Sequence, residues 1–98
     1  MLVKIHKSYR TVVAICDKEL IGKKFEQDNK QLDLTTNFFK GEEKTAEEVL
    51  DIIEKASYED ATFNIIGNKS TDLALKAGII KPEGIQRIQE IPVALVLL

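Results

Sequence analysis

One cysteine and one histidine are all the sequence offers of the two side chains that dominate nucleophilic and metal chemistry. With Cys16 alone, no internal disulfide can form, and nothing points to a secreted, disulfide-stapled scaffold. A single histidine beside a single cysteine also leaves the usual four-ligand zinc site without donors inside one chain. Tryptophan is absent and there are only two prolines and five glycines, too few for a Pro/Gly-rich linker or tract. Long hydrophobic runs are missing as well. The longest is Val93 to Leu98, far short of the roughly 20 residues a membrane helix needs. The opening MLVKIHKSYR alternates polar and apolar residues and lacks the core of a signal peptide. A cytosolic protein is expected.

Nor is there an excess of charge of one sign. Fourteen Lys and Arg stand against 16 Asp and Glu, a formal net charge of −2, which excludes the overall basic footprint of a dedicated DNA-binding protein. The distribution is less even. Residues 1–30 carry a net +3, residues 31–60 a net −6 and residues 61–98 a net +1. A basic face is therefore available only if folding gathers the lysines of the first third.

What remains is ordinary globular material. Over 98 residues, 44% hydrophobic and 31% charged, the composition supports one compact domain with one core and argues against disorder. Leu2 to His6 alternates with period two and Thr11 to Cys16 is a continuous apolar, β-branched run. Together they predict an N-terminal β-hairpin closed by Lys7–Arg10. Asp17 is placed to cap one helical turn, Lys18 to Ile21, ended by Gly22. Lys23 to Glu26 and Gln31 to Thr35 are short strands around a turn. Thr45-Ala46-Glu47-Glu48 fits a capping box, and Ala46, Val49, Leu50, Ile53 and Ala56 form one stripe, so a helix is expected over 45–57. Thr62 to Ile66 reads as a strand, Gly67 to Ser70 as a loop, and Thr71 to Ala77 as a short helix ended by Gly78. Ile85 to Ile91 is strand or helical turn, broken by Pro92, and Val93 to Leu98 is a terminal strand. The predicted class is α/β or α+β: a small mixed sheet that starts with a hairpin and is packed by two main helices.

For function the sequence yields candidates of unequal weight. Cys16 and His6 are the only possible nucleophile–base pair. In a symmetric hairpin His6 faces Thr11 and Cys16 faces Met1, leaving the pair about 16 Å apart along the ladder. No catalytic residue, metal or cofactor is assigned on that basis. The acidic side chains of residues 42–54 read as solvated charge. Gly67, Asn68, Lys69, Ser70 and Thr71, between a strand and a helix, offer backbone amides, a cation and two hydroxyls to an anion. They lack the full phosphate-loop pattern and serve equally well as turn and caps. Lys7, Tyr9 and Arg10 at the hairpin tip, with Lys18, Lys23 and Lys24, are the second candidate. An aromatic ring beside cations can stack on a base while the cations meet phosphates, although a polar turn has the same composition. Phe38-Phe39 reads as a core anchor. The C-terminal apolar strand is either a buried strand or an open edge through which copies associate.

Taken together, several stretches resemble an archaeal family known only as domain of unknown function four-two-four. They are Val3-Lys4-Ile5, Val12 through Asp17, Glu19 through Phe25, Asn64-Ile65-Ile66-Gly67, Ala77 through Ile85, Arg87-Ile88 and Ile91-Pro92-Val93-Ala94. Where the family pattern has a histidine after the late proline, this sequence has Val93. The resemblance implies a compact cytosolic α/β domain without an established activity. It also implies company with translation and ribosome-assembly genes, hence RNA, a ribosomal protein or another translation protein as partner, with no DNA and no membrane. The expected function is accordingly a non-enzymatic binding module. The alternatives are an enzyme or binder of a small phosphorylated ligand at Gly67–Thr71, and a structural subunit associating through its last strand.

Overall fold

A computed structural model describes residues 1–97. Six strands form one mixed sheet. In chain order they are β1 (Leu2–Lys7), β2 (Thr11–Cys16), β5 (Glu42–Glu43), β6 (Thr62–Ile66), β7 (Gln86–Ile88) and β8 (Ile91–Val96), and they lie side by side as β5-β1-β2-β6-β8-β7. A separate hairpin, β3 (Lys24–Gln27) with β4 (Lys30–Asp33), makes a second small sheet. Two helices, α1 (Ala46–Tyr58) and α2 (Asn68–Ala77), complete the α+β architecture. No helix among the described residues is long and apolar enough to cross a membrane.

Period-two alternation divides the sheet into two faces. Val3, Val13, Ile15, Phe63, Ile65, Ala94 and Val96 point one way and bury against Val49, Ile53 and Ala56 of α1 and Leu73 and Ala74 of α2. On the other face Ala14, Cys16 and Ile66 meet Leu20, Leu32, Leu34 and Phe39 from the β3–β4 hairpin and its flanking turns. The result is three layers: helices, sheet, hairpin. β6 lies between β2, parallel to it, and β8, antiparallel. Such a doubly flanked strand, packed on both faces, needs an unbroken apolar run, and Thr62-Phe63-Asn64-Ile65-Ile66 comes close to one.

Local chemistry sets the boundaries. α1 starts where the spacing predicts: Thr45 Oγ1 accepts from the Glu48 amide at 3.2 Å and Glu48 Oε1 from the Thr45 amide at 2.9 Å, a complete capping box. Its buried stripe is turned slightly from the expected one. Leu50 is exposed and Ile52 packs against the core instead.

Three expectations are corrected and one open alternative is settled. The β1–β2 turn is the three residues Ser8 to Arg10, with Lys7 opposite Thr11, so His6 faces Val12 and Cys16 faces Leu2. The segment after β6 is not a loop: α2 begins at Asn68, directly after Gly67. Of the two readings of residues 85–91 the strand holds, as β7, which is joined to β8 by Gln89 and Glu90, whose φ values of 49° and 67° make a tight hairpin turn. Pro92 lies within β8 rather than before it. The ladder tolerates it because the Gly67 N–H donates to the Pro92 carbonyl at 2.9 Å, while the Gly67 carbonyl accepts from the Thr71 N–H and hydroxyl. The N–H that proline lacks would have had no acceptor to meet. Leu98, the end of the expected last strand, lies outside the described residues.

Candidate functional site

The candidate residues fall at opposite ends of the sheet. β2 runs from the hairpin tip, where Lys7, Tyr9 and Arg10 stand, to Asp17. Lys23, Lys24 and the Gly67–Thr71 segment belong to the far end, past the last residues of β2 and β6. Five steps along a strand separate the two groups by about 16 Å, so the cations of the first third do not share one face. Lys18 at the far end is bound to Glu43, its Nζ 3.0 and 3.1 Å from the two carboxylate oxygens.

At that far end the α2 N-terminus already holds an anion belonging to the chain. Asp17, 3% exposed, reaches from the end of β2 to the first turn of α2. Its Oδ2 accepts from the Lys69 N–H at 3.0 Å, and its Oδ1 accepts from the Ser70 N–H at 2.8 Å and the Ser70 hydroxyl at 2.7 Å. Gly67 makes room for this approach. Its φ is 107°, in the region that favours glycine, and a Cβ there would overlap the Asp17 carboxyl carbon. The expected anion site at Gly67, Asn68, Lys69, Ser70 and Thr71 is thereby corrected. A phosphate arriving here meets a buried carboxylate and engaged donors, because the residue that caps α2 comes from 53 positions upstream. Ser70 and Thr71 are buried and bonded inward, and Asn68 caps nothing. Asp17 is in turn absent from its expected role: it precedes the short helical turn Lys18–Leu20 but makes no side-chain bond to it.

Cys16 adjoins this cap and is fully buried. Burial first, then the Asp17 and Glu19 carboxylates, push its thiol up to about 12, so it stays protonated and unreactive at neutral pH. His6 is four residues away along the ladder from Cys16's partner Leu2 and is occupied otherwise. Its Nε2 lies 3.0 Å from the Phe38 carbonyl and its ring stacks on Phe38, centroids 4.4 Å apart. Among the described residues no three His, Cys, Asp or Glu side chains gather as a metal site would need.

The hairpin end is built differently. The β3–β4 hairpin covers only the Cys16 half of its sheet face. Over the other half, His6, Val12 and Asn64 are half-buried and Leu95 is exposed, with Phe38 laid against His6. Tyr9 projects from the adjoining turn, fully exposed between residues 7 and 10. Phe39 is the core anchor expected of the Phe pair, while Phe38 is 38% exposed. Sequence reasoning did not pair Phe38 with His6, since only the crossing of the segment after β4 beneath β1 brings them together. β8, the other candidate surface, lies inside the sheet between β6 and β7. β7 pairs it only from Ile91 to Val93.

The match to a family model covers residues 6–98, and that family is described as "Protein of unknown function (DUF424)". The chain belongs to this family. Among solved structures, the crystal structure of an uncharacterized conserved protein from Methanopyrus kandleri superposes with a TM-score of 0.84. It is 23% identical, over 98% of this chain and 90% of that one, and the likeness is one of fold. No curated protein matches the chain. The expected membership and the mixed, hairpin-led architecture with two helices are both found.

Proposed function

We propose that this DUF424 chain is a non-enzymatic binding module of translation or RNA metabolism, contacting RNA through the hairpin end of its sheet. The observation that carries the reading is the exposed Tyr9 ring, held between Lys7 and Arg10 beside a half-uncovered sheet face bearing the His6–Phe38 stack. Unpaired bases stack on exposed aromatic rings, and neighbouring cations meet the phosphates. The unreactive Cys16 thiol and the engaged His6 ring favour binding over catalysis. Lys23 and Lys24, at the other end, are left out of this surface.

Fluorescence anisotropy with a labelled single-stranded RNA tests it. Binding is expected at low salt and weakens as salt rises. Tyr9→Ala should weaken it by about tenfold, the value of one lost stacking contact. Undetectable binding at low salt, or full binding by a Tyr9→Ala, Phe38→Ala double variant, overturns the reading.

A further inference from the structure

β1 is six residues long, yet its outer neighbour β5 pairs only with Leu2 and Val3. The Lys44 N–H donates to the Met1 carbonyl, and Gly41 presses on the Val3 carbonyl. In an antiparallel ladder alternate residues turn their backbone groups to the same side, so Ile5 and Lys7, like Met1 and Val3, direct theirs outward. No strand among the described residues pairs with them there.

Two cavities, of about 590 and 140 Å³, are both lined by Ile5 and Ile52: the first lies at this open edge, and the second reaches in from it between the sheet and α1, to Val13 and Ala56. Their floor is apolar: Ile5 is 45% exposed and Ile52 half-buried. Their rim is cationic, with Lys4, Lys40 and Lys44 along the first and Lys7 and Lys55 along the second, against Glu42 and Glu59. Lys44 is bound to Glu42 at 3.1 Å and Lys55 to Asp51 at 3.0 Å, and the Lys4 ammonium donates to the Asn37 carbonyl at 2.9 Å, which leaves Lys7 and Lys40 as the rim lysines with no ion pair among the described residues. Gly41 is required where the chain crosses this edge, because a Cβ would overlap the Val3 carbonyl.

We propose that the outer edge of β1 docks an acidic, extended peptide segment of a partner protein, which joins the sheet as a strand beside Ile5 and Lys7. Backbone groups of Ile5 and Lys7 supply the pairing, as in other strand additions. On the face it shares with Ile5, the segment carries apolar side chains over Ile5 and Ile52 and a carboxylate toward each end, one for Lys40 and one for Lys7. A second copy of this chain fits poorly, since two such edges would bring like charges face to face. This surface does not rest on the RNA reading.

The probe is a fluorescein-labelled seven-residue peptide, Glu-Thr-Val-Thr-Val-Thr-Glu, which puts its valines and both glutamates on one face of a strand, titrated into the whole chain. Its analogues carry lysine for glutamate, or N-methyl groups on alternate backbone amides. The acidic peptide should bind about tenfold or more tighter than either analogue, and Lys40→Glu should weaken it by about tenfold. Amide exchange at Ile5 and Lys7 should slow in the complex. Equal binding of the N-methylated peptide, protection elsewhere, or no saturation at millimolar peptide overturns the proposal. So does a free protein of dimeric mass with both amides already protected, or an RNA oligonucleotide that protects them.

Discussion

The two helices solve the same problem in different ways. Each must satisfy the free N–H groups of its first turn. α1 does so with its neighbours in sequence, Thr45 and Glu48, both exposed and both within one turn. α2 does so with Asp17, buried and brought by another strand. A local, wet cap is modular and worth little. A remote, dry one joins the helix to the sheet and makes both depend on a single carboxylate. The same difference explains the missing anion site: the strand–Gly–helix geometry that could receive a phosphate receives Asp17 instead.

Replacing Asp17 tests this contrast most severely. Asp17→Ala leaves two amides and a hydroxyl without their buried acceptor, and chemical denaturation should show a loss of about 3–4 kcal/mol. Asp17→Asn, which keeps an acceptor oxygen, should recover part of it. Gly67→Ala comes next. It forces a Cβ into the Asp17 carboxyl group at a φ of 107°, and should cost about 2–3 kcal/mol. Equal stability of this variant and the parent would show that Asp17 is not held where the hydrogen bonds place it.

Thr45→Ala, by contrast, should cost only about 1 kcal/mol, or about 4–8 °C in Tm for a chain of this size. A loss as large as that of Asp17→Ala would erase the distinction between the two caps. The smallest effect concerns pH. Bonds from Thr45, the backbone N–H first, hold the Glu48 carboxyl below its ordinary 4.5. A carboxyl depressed in the folded state stabilises above its unfolded pKa, and the contribution fades as pH falls through the folded value. Glu48→Gln should therefore have a flatter stability profile below about pH 4.5 than the parent, and parallel profiles would count against the capping box as an ionic feature.

How much of this was legible follows the same division. α1, its cap and most of its buried stripe could be read because every determinant lies within a few residues. So could β2 and β6, whose apolar runs have one plausible fate. The β1–β2 register was missed by one residue because Ser8-Tyr9-Arg10 and Lys7-Ser8-Tyr9-Arg10 are equally good polar turns, and only pairing decides between them. Pro92 reads as a strand breaker because the rule that bars proline from ladders is blind to a partner carbonyl already turned into a helix. For the site, the exposed Tyr9 could be anticipated and the split of the lysines between two ends could not, since it depends on where β2 begins and stops. Asp17 carried one hint, an acid directly after a buried strand, which the nearby turn Lys18–Leu20 explained away.

The distance in sequence between Asp17 and α2 also bears on the order of folding. Closing so long a loop costs chain entropy before any contact offsets it. The first turn of α2 gains its cap only once β2 and β6 lie side by side, whereas α1 can form its own as soon as residue 48 is present. α2 thus follows the sheet, and kinetic measurements should find Asp17→Ala and substitutions in the β2–β6 pair acting at the same stage.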